Sequence, residues 1–522
     1  MLEQESHYDV VVIGAGLGGL LAAAQFAGRG QRVAVVERLA HVGGRFTGKT
    51  FHGAQVSTGA VHMLPFGSNG IVAAMLRELR VPHRVHDAEV FASFHVHGRQ
   101  IRTRSVLAVA RVLGPRQYAR FVQLGAQMML RQPHPHERDL TFAQWLVLQG
   151  VTSATHPELV LFFERVSHFA LSIDLDQVSY VEICETMKNM FRYGPPGIVE
   201  GGCAAVAGAL EKRLCEAGAT LLLNHDVRGI ITTGGKATGV AVHDKTAGAT
   251  RTLCAPLIIS DIGPFATQSL LHNDDNFSPI STDEKESQES QAAIQQHNSP
   301  NPLSIRQNGE GIRGWGATGL KTHVLLADSF IDHKGILYCL DTRRIAGIVQ
   351  PSNSDSRLAP PGKHLLITHQ LWRPERESIA EARALALADL EYLLGPRDVG
   401  RWELLTMSQY HDEWPVNRAV QGADAIPQTD VSGLYLVGDA VKPSGYLMVE
   451  GVAQSVNTLL DAVDRELLAG DPEGPVPVAP ASHIAPKPPK QRALAWLIAP
   501  PAPHPGSAAR RAAAPDLPVA GE

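Results

Sequence analysis

The sequence predicts an α/β protein in which two domains are built from interleaved segments of one chain. An apolar strand, helix and second strand open the chain within residues 8–75, and mainly helical patterns follow over residues 100–190. Helix and short strands return over residues 197–262, and further strands follow within 315–372. The 522 residues are enough for two to four domains. This alternation predicts a parallel sheet covered by helices, with a second domain inserted into it.

Composition excludes several classes of protein. The formal net charge is -5, from 47 Lys+Arg and 52 Asp+Glu, which argues against a general nucleic-acid binder. Five Cys without a C-x-x-C pair argue against a zinc ribbon or a disulfide framework, so we predict no metal site. Reduced thiols and the acidic start, Met1–Glu5, favour a cytoplasmic protein without a signal peptide.

Residues 8–28 are apolar enough to suggest a membrane span, but their glycines indicate a nucleotide site. The strand Tyr8–Ile13 ends in the G-x-G-x-x-G pattern of Gly14, Gly16 and Gly19. These glycines permit a tight turn, close approach of the backbone to a pyrophosphate, and close packing of helix on strand. The helix that follows directs free N–H groups and its positive dipole end at the phosphates.

The second strand ends in Glu37, at the spacing expected for an acid that binds ribose hydroxyls. Such a carboxylate would also repel a 2′-phosphate. A second match to the glycine pattern, Gly309–Gly314, follows a polar stretch and precedes a strand, so we interpret it as a loop. The chain therefore carries one Rossmann-like dinucleotide site.

Two further motifs indicate which dinucleotide binds. Gly43-Gly44-Arg45 follows Glu37, and the apolar strand Gly433–Gly438 ends at Asp439, whose carboxylate suits a polyol hydroxyl such as that of a ribityl chain. With these motifs, most of residues 8–465 resembles FAD-dependent oxidoreductases of the phytoene desaturase and amine oxidase superfamily. The branch it resembles contains carotenoid desaturases, carotenoid isomerases and retinol saturases.

The resemblance implies a two-domain flavoprotein of the GR2 type and assigns roles to matching residues. Gly43, Gly44 and Arg45 would lie along the FAD diphosphate and ribityl chain, and the Val227 backbone would meet the adenine. A helix beginning near Met448 would direct its dipole at the flavin pyrimidine ring. The predicted FAD-binding residues are Gly14, Gly16, Leu17, Gly19, Glu37, Arg38, Gly43, Gly44, Arg45, Val227, Gly438, Asp439, Met448 and Val449.

The sequence departs from the family at two places. Ser57 stands where the family often has an Asp, and we find no equivalent of the Lys that sits over flavin N5 in many amine oxidases. The predicted FAD-binding domain comprises residues 1–75, 195–272 and 420–468, and the predicted substrate domain comprises 76–194 and 303–419. Residues 273–302 form a predicted polar insertion, and 469–522 a Pro/Ala-rich disordered tail.

We expect hydride transfer at flavin N5 to act on C–C or C=C bonds of an apolar isoprenoid- or carotenoid-like substrate, by desaturation, saturation or isomerisation. The alternatives are an amine oxidase-like enzyme acting on C–N bonds and a non-redox binding protein for prenylated partners, like the dissociation inhibitors. Oxygen and a quinone are the expected alternative electron acceptors. The candidate catalytic residues are His62, Trp414 and Tyr446, each placed near the flavin by the resemblance.

Residues 90–136 contain no Asp or Glu but seven Arg, which predicts contact with a membrane surface. A basic solvated face is the alternative explanation. The arginines are Arg99, Arg102, Arg104, Arg111, Arg116, Arg120 and Arg131.

Overall fold

The computed structural model describes residues 6–59, 61–90, 92–103, 105–271, 318–411 and 426–470. The mixed α/β class and the Rossmann-like start are confirmed in these residues. The predicted polar insertion, the Gly309–Gly314 loop, Trp414 and residues 471–522 of the predicted tail lie outside them.

The helices and strands are numbered in chain order. The helices are α1 (Leu17–Gly28), α2 (Ile71–Glu78), α3 (Ala110–Leu130), α4 (Phe142–Leu148), α5 (Pro157–Ala170), α6 (Tyr180–Tyr193), α7 (Gly202–Glu216), α8 (Pro264–Leu271), α9 (Ile379–Leu394) and α10 (Met448–Gly470). The strands are β1 (Ser6–His7), β2 (Val10–Ile13), β3 (Val33–Glu37), β4 (Gly48–Phe51), β5 (Ala54–Ser57), β6 (Met63–Leu64), β7 (Val85–Asp87), β8 (Ala92–Val96), β9 (Arg99–Thr103), β10 (Gly197–Val199), β11 (Thr220–Leu223), β12 (His225–Thr233), β13 (Lys236–Asp244), β14 (Thr250–Cys254), β15 (Leu257–Ser260), β16 (Thr318–Leu326), β17 (Ile336–Cys339), β18 (Gly347–Val349), β19 (His364–Leu371), β20 (Trp402–His411) and β21 (Leu434–Leu436).

A five-stranded parallel sheet carries the predicted nucleotide site. Its strand order is β11-β3-β2-β15-β21, so the N-terminal strands pair with strands from the middle and end of the chain. Strands β2 and β3 are fully buried and mainly β-branched, as expected where helices and a second sheet cover both faces. The carboxyl ends of β2, β3, β15 and β21 therefore meet at one edge.

A seven-stranded sheet, in the order β20-β16-β19-β18-β17-β8-β9, forms the base of the second domain. Its strands β8 and β9 come from the N-terminal half of the chain, and the other five come from residues 318–411. Helices α3 to α6 cover this sheet, and four of their phenylalanines, Trp145 and Tyr180 are buried in the core of this domain. The exact domain boundaries stay a prediction. Helix α2 crosses the predicted boundary between residues 75 and 76 and packs with the nucleotide sheet.

One predicted strand, Leu253–Ser260, is divided in the structure. Its first part belongs to β14, which pairs with β13, and its second part is β15, which pairs with β2. Pro256 lies between the two parts and lacks the N–H that a continuous strand would donate. No helix among the described residues is long and apolar enough to cross a membrane.

A buried carboxylate connects the C-terminal motif to the N-terminal half. Glu450, on α10, is fully buried and accepts hydrogen bonds from the backbone N–H groups of Val72, at 2.9 Å, and Phe66, at 3.3 Å. Val72 belongs to the first turn of α2, so the carboxylate caps that helix. Burial outweighs these hydrogen bonds and raises the pKa of Glu450 to about 7.

Because the folded-state pKa of Glu450 lies above the usual 4.5, its contribution to stability is present at acid pH and lost as pH rises toward 7. Between pH 5 and 8 the free energy of unfolding of the wild type should fall because Glu450 becomes ionised. In Glu450→Gln this fall should be smaller by about 1–3 kcal/mol. Urea unfolding at both pH values measures this difference. Exposed Glu391→Gln serves as the control, and equal losses in all three proteins would contradict the assignment.

Candidate functional site

A cavity of about 2370 Å³ extends from the carboxyl edge of the parallel sheet into the second domain. A site for one small ligand typically occupies ~300–1,000 Å³, so this cavity has room for a dinucleotide and a second molecule. The glycine loop, Glu37 and Val227 line one end, and the seven-stranded sheet with α5 and α6 lines the other.

The glycine loop has the close contacts that its motif predicts. A side chain at Gly19 would overlap the carbonyl oxygen of Gly14, so only glycine lets α1 pack this close to β2. Gly14 has a φ of 94°, in the left-handed region that favours glycine. Gly43 lies beside Gly16 and donates its N–H to the Ala15 carbonyl oxygen at 2.7 Å, which joins the two predicted motifs.

Glu37 lies at the end of β3 and forms part of the cavity wall. One carboxylate oxygen accepts the Ala15 N–H at 2.7 Å and the other accepts the Leu39 N–H at 2.9 Å. These bonds fix the carboxylate beside the glycine loop. An ionised carboxylate has further lone pairs, so ribose hydroxyls can bind without displacing the two backbone donors.

The predicted Arg45 and Asp439 contact each other. Their side chains form an ion pair at 2.5 Å, and the Lys442 ammonium lies 3.5 Å from the second Asp439 oxygen. Lys442 is fully buried and is not part of the cavity wall, whereas Arg45 and Asp439 both line it. Lys442 therefore supports Asp439 from behind the wall.

The remaining predicted cofactor residues lie along the same wall. Met448 begins α10 with a φ of 41°, an uncommon backbone conformation for a residue other than glycine and one often found at functional sites. Gly19 packs behind the loop, as its role requires. The individual roles of the predicted residues toward a cofactor stay predictions. The predicted residues on the wall are Gly14, Gly16, Leu17, Glu37, Arg38, Gly43, Gly44, Arg45, Val227, Gly438, Asp439, Met448 and Val449.

Asp261 is a site residue that the sequence analysis did not identify. It follows β15 and lines the cavity, and a side chain at Gly16, Gly18 or Gly438 would overlap its carboxylate. Burial, reinforced by Asp439 and Glu37, raises its pKa to about 7 although the Gly19 N–H donates to it and Arg45 is near. A carboxyl group therefore lies where the helix N-terminus would meet a diphosphate.

Of the predicted catalytic residues that the structure describes, His62 and Tyr446 are not part of the cavity wall. His62 is 1% exposed, its Nε2 donates to the Gln55 carbonyl oxygen at 2.8 Å, and its Nδ1 accepts the Cys203 N–H at 3.2 Å. Both nitrogens are thus used in holding α7 against β5, and burial lowers the pKa of His62 to about 4. This geometry indicates a structural residue rather than a proton relay.

Tyr446 is also placed away from the cavity wall. Its ring meets Phe66 edge-on, with centroids 6.4 Å apart, inside the core of the nucleotide domain. The third candidate, Trp414, lies outside the described residues. The resemblance located these residues only by their distance along the chain from the flavin motifs, and packing decides which of them reach the cavity.

Lys321 lies on the cavity wall and was also missed. It is 3% exposed, and its Nζ has no hydrogen-bond partner among the described residues. Desolvation lowers the pKa of Lys321 to about 8. Lys321 is a candidate for the flavin-facing Lys that the sequence analysis did not find. The sequence did contain an indication of it, because Lys321 is the one Lys in the otherwise uncharged strand β16.

The far end of the cavity is apolar and aromatic, although aromatic residues make up only 6% of the chain. Four of the five acidic residues of the described wall lie elsewhere. Glu37, Asp226, Asp261 and Asp439 belong to the nucleotide end, and Asp87 accepts both the N–H and the hydroxyl of Ser68. The phenylalanines of the far end are Phe94, Phe121, Phe142, Phe162, Phe163 and Phe169.

The raised pKa of Asp261 predicts that the affinity of this site for a diphosphate depends on pH. Above pH 7 its carboxylate is ionised and repels a diphosphate, so we expect the affinity for ADP to fall as pH rises from 7 to 9. Asp261→Asn should bind ADP about tenfold more tightly than the wild type at pH 8.5, and with a flatter pH dependence. Calorimetric titration with ADP measures both quantities, with exposed Asp398→Asn as the control. Identical pH profiles in wild type and Asp261→Asn would exclude this role.

Comparisons with known proteins agree with this geometry. Residues 12–79 match the model of the NAD(P)-binding Rossmann-like domain family. An uncharacterized protein of Methanocaldococcus jannaschii is 27% identical over 456 residues, covering 87% of this chain and 98% of that protein.

A putrescine oxidase solved with putrescine bound is 17% identical with a TM-score of 0.59, covering 88% of this chain and all of the other, and shows a shared fold. The crystal structure of an oxidoreductase from Methanosarcina mazei is 32% identical with a TM-score of 0.71, over 87% of this chain and all of that one. The chain therefore belongs to the family of this Methanosarcina mazei oxidoreductase.

Proposed function

We propose that the protein is an FAD-dependent oxidoreductase acting on C–C or C=C bonds of an apolar, isoprenoid-like molecule. The observation that carries the proposal is the composition of the cavity. A dinucleotide site continues into a large chamber whose described far wall holds six phenylalanines and one buried lysine, and four of the five acidic residues of the described wall lie at the nucleotide end.

The residues of the nucleotide end suit FAD. Under this proposal Glu37 would bind a ribose, the N-terminus of α1 would face the diphosphate, and Asp439 would bind the ribityl chain. FAD, when bound, supplies a ring that accepts or donates a hydride. The phenylalanine-lined chamber would orient an apolar substrate and exclude water from it.

The charge of the chamber favours C–C over C–N chemistry. A primary amine is a cation at neutral pH, and burying it beside the Lys321 ammonium without a carboxylate would be unfavourable. The shared fold with putrescine oxidase and the presence of Lys321 keep an amine substrate as the second candidate. A purely binding protein is the third candidate, but it would have no need of Glu37 and the Arg45–Asp439 pair.

The absorption spectrum of the purified protein tests the cofactor. We expect a flavin band and FAD release on denaturation, with FAD content reduced at least about tenfold in Glu37→Ala because the ribose contacts are lost. Exposed Glu391→Ala should retain FAD. A colourless wild type that takes up no added FAD would refute both enzyme candidates.

Anaerobic mixing then tests the substrate class. Polyenes should bleach the oxidised flavin, or reoxidise the reduced flavin, according to the direction of the reaction, and oxygen and quinones can be compared as acceptors. Bleaching by primary amines alone would establish the C–N alternative.

We also propose that the basic stretch contacts a membrane and admits the substrate. Leu107 is 74% exposed, while Ser105 and Val109 on either side of it line the cavity. Leu130, at the end of α3, is 87% exposed. Apolar side chains beside arginines at a cavity mouth are typical of interfacial helices. Among the seven arginines, Arg102 pairs with Asp332 and Arg131 with Glu137, so these two are already neutralised.

Liposome sedimentation tests this contact. We expect binding to anionic vesicles that weakens between 50 and about 500 mM salt, since salt screens exposed charges. Leu107→Ser should reduce binding several-fold, whereas Val399→Ser, at an exposed position outside the basic stretch, should not. Equal binding to neutral and anionic vesicles would favour the simple solvated face.

A further inference from the structure

Helix α6 of the second domain contacts both parts of the cavity. One of its faces lines the chamber with four residues spaced three and four apart, Ile183, Thr186, Met187 and Met190. The adjacent face contacts residues 444 and 445, shortly before α10 begins. Since α10 carries the predicted flavin motif, a helix of the chamber also supports the nucleotide end.

Gly445 is held by α6 through both polar groups of its backbone. Its N–H donates to Glu182 Oε1 at 3.0 Å, and its carbonyl oxygen accepts from Asn189 Nδ2 at 2.8 Å. The Ser444 hydroxyl donates to the other Glu182 oxygen at 2.5 Å. Glu182 and Asn189 are seven residues apart on the helix, about two turns, so they lie on one face.

The backbone at Gly445 also packs directly on the backbone of α6. Gly445 has a φ of 81°, in the left-handed region that favours glycine. A side chain there would come within 2.6 Å of the Glu185 β-carbon and 2.9 Å of the Glu185 carbonyl carbon. Only glycine permits this approach, so the position of Gly445 is fixed relative to α6.

The position of Gly445 constrains the cavity wall at the start of α10. Met448 begins that helix with a φ of 41°, and Met448 and Val449 both line the cavity. The next residue, Glu450, is fixed on its other side by its hydrogen bond with Val72. The connection from Gly445 to Met448 is short, so a shift of Gly445 would displace this wall.

Glu182 also places a negative charge behind the cavity wall. It is 3% exposed, and it lies near the Lys442 ammonium. Burial lowers the pKa of Lys442 to about 8, and the carboxylates of Asp439 and Glu182 oppose this effect. The Lys442 ammonium lies 3.5 Å from Asp439, which lines the cavity. Charges of alternating sign therefore lead from α6 to the wall.

A buried charge at this place would act on the electron affinity of a bound flavin. Reduction adds negative charge to the flavin ring, and a nearby carboxylate disfavours added negative charge. At an effective dielectric constant of about 20, a unit charge about 10 Å away changes an equilibrium by roughly tenfold. Removing the carboxylate should therefore favour the reduced state of the flavin.

We propose that Glu182 lowers the reduction potential of the bound flavin, and that Glu182 and Asn189 together position the wall at the start of α10. Both are positioning residues that act through Gly445, and neither is part of the cavity wall. Because α6 also lines the chamber, substrate and cofactor share one support. This inference rests on the proposed function, since it takes FAD to bind at the nucleotide end.

The test compares the reduction potentials of the FAD-loaded wild type and variants, by reductive titration beside a reference dye. Glu182→Gln keeps an oxygen for the Gly445 N–H but removes the charge. We expect its ratio of affinities for reduced and oxidised FAD to rise about threefold to tenfold, which raises the two-electron potential by about 15–30 mV. Glu182→Ala removes the charge without placing an amide near Lys442, and should shift the potential in the same direction.

Asn189→Leu separates positioning from charge. It removes the donor to the Gly445 carbonyl oxygen without a change of charge, so the affinity for oxidised FAD should fall about threefold to tenfold. Its reduction potential should stay within about 10 mV of the wild type, the equivalent of about a twofold change.

Glu185→Gln is the matched control, since it removes the same charge from the same helix. The Glu185 carboxylate is 37% exposed and pairs with Lys188 at 2.8 Å. Both the FAD affinity and the potential of this variant should match those of the wild type. Retained FAD shows that each variant is folded.

The outcomes separate this inference from the proposed function. An unchanged or lowered potential in the Glu182 variants, or an equal rise in Glu185→Gln, would overturn the electrostatic role of Glu182. Unchanged FAD affinity in Asn189→Leu would overturn the positioning role. Either result would still leave a flavoprotein, whereas a wild type that binds no FAD would overturn the proposed function itself.

Discussion

The structure depends on the close approach of α1 to β2 at Gly19 and Gly14. Because a side chain at Gly19 would overlap the Gly14 carbonyl oxygen, the helix can start directly over the end of the strand only with glycine there. This contact fixes the position of the helix N-terminus. Glu37, Gly43 and Asp261 are then arranged around it through the Ala15 backbone and the neighbouring strands.

The sequence could predict this part of the molecule because its information is local. Strand, glycines, helix and acid follow one another within about thirty residues, and each position has one physical requirement. Arg45 and Asp439 are far apart in sequence, but each belongs to a motif whose place at the sheet edge was predictable. Their ion pair follows from that shared place.

The far chamber could not be predicted in the same way. Lys321, His369 and Tyr410 come from three strands, and their meeting depends on the register of β16 with β19 and β20. A one-residue shift would direct every one of them to the opposite face. The place of His62 could not be predicted for a related reason, since its burial and its two backbone partners become known only from the tertiary structure.

The interior contains ionisable groups that burial alone would not favour. Asp261 and Glu450 have pKa values raised to about 7, and Lys321 and Lys442 have pKa values lowered to about 8. The N–H groups at the start of α2 compensate the burial of Glu450, and Asp439 compensates the burial of Lys442. These two groups therefore serve the fold. Asp261 and Lys321 lack an equally direct compensation and both line the cavity, which is where a ligand would stabilise them.

Arg45 connects these two ends electrostatically. Its guanidinium lowers the pKa of Asp261 and also that of Lys321, so it favours the ionised carboxyl at one end and the neutral amine at the other. A diphosphate beside Arg45 would offset part of this charge and so favour the protonated forms of both groups. Occupation of the nucleotide end would therefore strengthen Lys321 as a cationic donor in the chamber. The order of events that this coupling favours is cofactor first and substrate second.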